Sequence, residues 1–189
     1  MSKLLKHLKT IRTHRKWVRK WCFKMGIPLR GVLHDLSKYS IRELSVAKYY
    51  TGTRSPHDNM RDDIGYSTSW YHHRNRNKHH WEYWIDSYNL KTAVKMPYKY
   101  VIEMLCDMCG AGQAYNSEKW QPKEVAKYYD KRYKSDAPEP QIINPQTQYL
   151  FEKLIYKLAE LNDMKQFIKW YKKNKKELKR EYEEGKIYG

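Results

Sequence analysis

From Leu4 to Met25 the apolar positions Leu4, Leu8, Ile11, Val18, Cys22 and Met25 recur every three or four residues, with Lys and Arg between them. That spacing predicts an amphipathic helix with a basic outer face. His14 falls inside the apolar stripe. Gly26 punctuates the helix end, Pro28 suits a new first turn, and Val32, Leu33 and Leu36 frame the dipeptide His34-Asp35. Ser40 and Glu43 have capping-box spacing ahead of Leu44, Val46, Ala47 and Tyr49, so a third helix is expected there.

Residues 51–66 carry Gly, Pro, Asn and Asp without periodicity and read as a loop. A helix is expected over residues 67–88. Pro97 opens the next, which places Tyr100, Met104, Asp107, Met108 and Ala111 on one side, and a short helix is expected near Pro122. Residues 135–145 hold three prolines and read as a connector, ending in Asn144-Pro145, a cap and first position for a helix to about Leu161. The lysine-rich remainder reads as an exposed helix or a frayed tail. No alternation is long enough for a strand and no repeat is visible. The fold class is therefore all-α: one compact helical domain over residues 1–162, then a basic helix or tail over 163–189.

Composition sharpens this picture. The 18 Tyr and 7 Trp predict a core rich in aromatic rings with polar handles. No stretch approaches the roughly 18 apolar residues that span a bilayer, and residues 1–20 are charged throughout, so a soluble, cytoplasmic protein without a membrane partner is expected. Three cysteines do not suggest a disulfide framework, and the lone Cys106-x-x-Cys109 reads as thiols of a helix or core. Lys and Arg outnumber Asp and Glu by 38 to 21, a formal charge of +17, which favours polyanions: nucleic acid, nucleotides or anionic surfaces. Oligomeric state is left open.

A His or Asp on a core-facing stripe is costly unless paired or bound to metal. His14, His34-Asp35 and Asp107 stand on such stripes of separate helices. The segment WYHHRNRNKHHWEYW adds four His in nine residues. On a continuous helix His73, Asn77, His80 and Trp84 share one face while His72, Arg76 and His79 are rotated about 100° away, which favours His73 and His80 as the inward pair. Imidazole and carboxylate donors from several helices hold one or two divalent ions (Mn, Zn, Fe, Co or Ni, with Mg also possible) and leave positions open for water. The plainer alternative is a solvated basic segment meeting nucleic-acid phosphates.

His14, His34-Asp35 and Asp107 reproduce in order the H…HD…D pattern of the HD-domain metal-dependent phosphohydrolases, which the chain resembles; His73 and His80 resemble the extra pair of two-metal members. Through LHDLSKYSIRE, HHRNRNKHHWEYW and MPYKYVIEMLCDMCGAG it also resembles, over residues 12 to 160, a family of small bacterial and phage proteins of unknown function. The first resemblance implies His14, His34, Asp35, Asp107, His73 and His80 as ligands and a water-attack reaction on a nucleotide-like phosphoester. Some HD nucleotidases carry a Glu one turn after the HD pair where this chain has Lys38. Lys38 then reads as a phosphate contact, with Arg74, Arg76 and Asn77. Asp35, Lys38 and Glu43 are the expected catalytic residues, although Glu43 also has its capping role. Two other functions use the same features: a di-iron oxygenase on this fold, or a basic nucleic-acid-binding module.

Overall fold

The computed structural model describes residues 1–86, 88, 92–135 and 142–185. Among these, helices follow one another in the order α1 (Lys3–Lys24), α2 (Pro28–Leu33), α3 (Ile41–Leu44), α4 (Pro56–Ile64), α5 (Thr68–Arg74), α6 (Tyr98–Asn116), α7 (Glu124–Asp130), α8 (Pro145–Leu161) and α9 (Met164–Glu184). The only β pairing among the described residues is an isolated bridge between Ile85 and Ala93. The fold is an all-α single domain.

The central element is α6, buried along Val101, Ile102, Leu105, Cys106 and Cys109, with α1 packed along it. Two glycines set how closely helices approach α1. A Cβ on Gly110 would lie 2.5 Å from Val18 Cγ2 and 3.2 Å from the Val18 backbone nitrogen; one on Gly31 would lie 2.7 Å from Cys22 Cβ. Only a residue without a side chain lets α6 and α2 sit this near α1. Gly110 is three residues after Asp107 and Gly31 three before His34, so both close approaches fall one turn from an expected ligand.

The apolar stripe of α1 is rotated from its expected position: Leu4 is exposed and His7 buried, with Ile11, His14, Val18 and Cys22 buried below. Residues 51–66 are not all loop. Ser55 caps α4, Pro56 occupies its first turn and Gly65 ends it in a left-handed conformation. Nor is 67–88 one helix. It stops at Arg74, turns, and resumes as a 3-10 turn over Trp81–Trp84; residue 87 lies outside the described set. Val32, Leu33 and Leu36 are exposed and do not cover the His34-Asp35 pair. The expected helix near Pro122 is α7. Within the expected connector, residues 136–141 lie outside the described residues. All three cysteines are buried, free thiols. Among the described residues no helix is long and apolar enough to cross a membrane.

Of the two expectations for the C-terminal segment, helix or frayed tail, the helix is observed to Glu184; residues 186–189 lie outside the described set. Asp163 caps α9, and Phe167, Ile168, Tyr171, Leu178 and Tyr182 are buried in the core shared with α6 and α8. The Tyr182 hydroxyl donates to the Met96 carbonyl. The boundary at 162 is thus a turn within one core. Truncation after Asn162 removes five large buried side chains, each contributing about 2 kcal/mol, a sum near the whole stability of a domain. The truncated chain is expected to lose cooperative thermal unfolding in calorimetry.

Candidate metal centre

Local backbone explains how neighbouring residues 34 and 35 serve one centre. α2 ends at Leu33, His34 is extended, and Asp35 adopts the left-handed region (φ 53) before the 3-10 turn Leu36–Tyr39. Asp tolerates this conformation better than branched or bulky residues. The reversal buries both side chains together. α1 contributes His14 and α6 contributes Asp107.

The donor atoms of His14, His34, Asp35 and Asp107 lie within 4.8 Å of one another. His14 Nε2 is 3.2 Å from His34 Nε2, 3.2 Å from Asp35 Oδ2 and 3.0 Å from Asp107 Oδ1. His34 Nε2 is 3.3 Å from Asp35 Oδ2 and 3.2 Å from Asp107 Oδ1. Ligand bonds of about 2.1 Å separate neighbouring donors by about 3.0 Å in an octahedron and about 3.4 Å in a tetrahedron. The four groups are spaced as the edges of such a polyhedron, and they can hold a metal ion.

The outer contacts prepare these donors. Glu103, at i−4 from Asp107 on α6, lies 3.0 Å from His34 Nδ1 and pairs with Arg30 at 2.7 Å. Burial disfavours its charge, but His34, His79 and Arg30 hold its carboxyl at about 2. An ionised Glu103 takes the Nδ1 proton of His34 as a hydrogen bond and leaves Nε2 facing the centre. Glu43 does the same elsewhere: its oxygens lie 2.8 Å from His72 Nδ1 and 2.7 Å from His73 Nδ1. Ser40 also caps the Glu43 amide, as the capping-box spacing predicts, while the Glu43 carboxylate turns to the two histidines instead of back to Ser40.

A second group forms beside the first, where the ring nitrogens of His73, His79 and His80 lie within 4.8 Å of one another. Asp35 connects the groups, its Oδ1 lying 3.4 Å from His73 Nε2 and 3.6 Å from His79 Nε2. Asp35 Oδ1 and both ring nitrogens of His79 are buried without a well-formed hydrogen bond, His79 Nδ1 standing 3.5 Å from Glu103 Oε1. Orphaned buried donors and acceptors are rare, and here they converge with the chemistry of metal ligands. The expected pair His73 and His80 is corrected to include His79, since α5 ends at Arg74 and the helical wheel stops applying beyond it. His80 packs edge-on to Trp70 with ring centroids 4.8 Å apart.

Burial opposes charge on Asp35 and Asp107, yet His34 and Lys38 hold Asp35, and His14 and His34 hold Asp107, well below the usual carboxylate range. Lys38 Nζ is 2.6 Å from Asp35 Oδ2. Burial alone would lower the His34 pKa, but Asp35, Asp107 and Glu103 outweigh it and raise it well above 6.5. In the metal-free chain this proton stabilises the fold fully below pH 6.5, and the contribution is lost as pH rises through the raised value. A metal must displace it. Affinity for Mn or Zn is therefore expected to climb with pH, by up to about tenfold per unit for one displaced proton, in calorimetric titrations from about pH 6 to 9. A flat profile would show that His34 is already neutral.

A cavity of about 620 Å³ opens over the centre, with His14, Lys38, His73 and Asp107 at its wall and Trp70, Trp81, Trp120, Tyr128 and Tyr133 around it. Three expected phosphate contacts do not line it. Arg74 lies over the Tyr71 ring at 5.4 Å, Arg76 is exposed, and the Asn77 amide donates to Ser37 Oγ and the His73 carbonyl. α5 turns His73 inward and Arg74 over Tyr71, and the turn after it sends His79 inward and Arg76 outward. The cations that do line the cavity are Lys38, Arg54, Lys127 and Lys131.

A family described as "Family of unknown function (DUF5662)" matches residues 3–157, most of the chain and every donor named above. The chain belongs to this family. Searches of curated proteins and of solved structures return no match.

Proposed function

We propose that this chain is a metal-dependent phosphohydrolase, cleaving a phosphomonoester or phosphodiester of a nucleotide-like substrate with one or two divalent transition-metal ions, in a reducing compartment such as the cytoplasm. The observation that carries the reading is the quartet His14, His34, Asp35 and Asp107 at polyhedral spacing beside a cavity of phosphoester size. The resemblance to the H…HD…D pattern supports it. An ion held there supplies Lewis acidity toward a phosphoryl oxygen and makes water a better nucleophile near neutral pH.

The protein's own groups do the rest. Lys38 borders the cavity and stands at the centre, placed to meet a phosphate oxygen and offset its developing charge. Glu103 and Glu43 keep His34 and His73 in the tautomer that presents Nε2. Asp35, turned toward both groups of histidines, would with His73, His79 and His80 hold a second ion. The aromatic wall excludes water and stacks on a flat organic group. The test is elemental analysis of natively purified protein, with phosphate release from nucleotides in added Mn, Co or Mg. Metal-free protein that stays inactive with every ion ends the reading; an iron-loaded form with oxygen uptake and no phosphate release reassigns the ligands to oxidation.

A further inference from the structure

Polar atoms without partners are concentrated around one cavity. Among the described residues, six buried side-chain nitrogen or oxygen atoms lack a hydrogen-bond partner. Asp35 Oδ1 and the two nitrogens of His79 belong to the metal centre. His80 Nε2 belongs to the second histidine group of that centre, and the remaining two, Trp81 Nε1 and His7 Nδ1, belong to residues lining the cavity outside it. A fold that pairs its other buried polar groups leaves such atoms unpaired where a ligand completes them.

His7 is the one farthest along α1 from the metal ligands. It precedes His14 by seven residues, two helical turns, so it looks out from the same face about 10 Å up the helix axis. It is only 7% exposed. Its ring packs against Tyr50 with centroids 5.4 Å apart, and Thr10 Oγ1, beside it, is hydrogen-bonded to the Tyr50 hydroxyl at 2.6 Å. Burial first, then the charge of Lys38, pushes the His7 imidazole down to about 4, so it is uncharged at neutral pH. A neutral ring among neutral hydroxyls is not a phosphate site.

Resting on the phosphoester reading above, we propose that His7 is a specificity-determining residue. It forms a hydrogen bond with an uncharged hydroxyl or amide-like group on the organic part of the substrate, about two helical turns from the reacting phosphorus. The cavity thus has two chemically different ends. Lys38 and the metal ligands take the phosphoryl group, and His7 with Thr10 reads the far end. Simple phosphates fill only the first.

The experiment measures binding, which does not require turnover: titration of full-length protein with adenosine monophosphate and, separately, inorganic phosphate, followed by quenching of the cavity tryptophans. His7→Phe keeps a ring of similar shape and removes both nitrogens, whereas His7→Asn keeps a polar atom near the position of Nδ1. His7→Phe is expected to weaken the nucleotide about tenfold and leave phosphate affinity and metal content unchanged, with His7→Asn restoring most of the loss. Equal weakening of both ligands, unchanged nucleotide affinity in His7→Phe, or a wild-type protein that binds the nucleotide no better than phosphate would each overturn the proposal. A selective effect in a protein that never releases phosphate would keep the His7 subsite and remove the hydrolase reading alone.

Discussion

Asp35→Asn is expected to yield a folded protein whose capacity to bind a divalent metal is largely gone. Asparagine has nearly the shape of aspartate and accepts the left-handed backbone found at position 35 (φ 53), so the turn between α2 and the following 3-10 segment survives. The charge does not. Asp35 is the side chain shared between the His14–His34–Asp107 group and the His73–His79 pair, and a neutral amide is a poor ligand for either. Divalent-metal affinity is expected to fall at least about a hundredfold, and the phosphate release that the proposed hydrolase reading calls for to reach background. Lys38 keeps an amide oxygen in place of a carboxylate. Because that lysine is partly exposed, the stability cost is about 2 kcal/mol, a fall of roughly 4–8 °C in Tm. Calorimetric metal titration beside circular dichroism checks both halves, and wild-type metal content in this variant would remove Asp35 from the ligand set.

Gly110→Ala, a change of one methyl group that meets the ligand residue His14 only at its backbone oxygen, 3.4 Å away, is expected to damage both stability and the centre. The added carbon would lie 2.5 Å from Val18 Cγ2 and 3.2 Å from the Val18 backbone nitrogen, and helix backbone cannot move aside as a side-chain tip can. α1 must shift away from α6. Overpacking of this kind costs about 1–3 kcal/mol, or roughly 5 °C in Tm for a chain of this size. His14 lies one turn from Val18 and Asp107 one turn from Gly110, so the shift stretches the 3.0 Å separation between their donor atoms. Weakened metal binding in a still-folded variant is the expected signature in a paired thermal melt and metal titration. A wild-type melting curve would show that the two helices separate freely.

The centre was legible in the sequence wherever helical periodicity reached it. His14 stands in the α1 stripe and Asp107 in the α6 stripe, and periodicity on each helix suffices to turn them inward. Glu103 was missed although it stands at i−4 from Asp107 on the same face, a signal present in the spacing. His79 left no such signal. Its position depends on the chain leaving the helical path after Arg74, and a wheel drawn through 73–84 assigns it to the wrong side. α4 was missed because only Pro56 and Met60 of its nine residues are buried, too few to show a period, while Ser55, Pro56 and Gly65 marked its ends. The glycine contacts of α1 were invisible for a different reason: close helix approach is a property of two elements together, and no single stretch encodes it.

Lys38 carries a consequence for the order of events in the life of the protein. Asp35 and Asp107 bring two negative charges to one place in the interior, an arrangement that opposes folding unless something compensates. The ammonium of Lys38, 2.6 Å from Asp35 Oδ2, provides that compensation from within the chain. The folded chain thus carries a counter-charge of its own for this pair, which a zinc finger, unfolded in its apo form, lacks. A chelator is expected to leave the melting transition in place, and a cation held by these donors would take over the counter-charge that Lys38 gives Asp35.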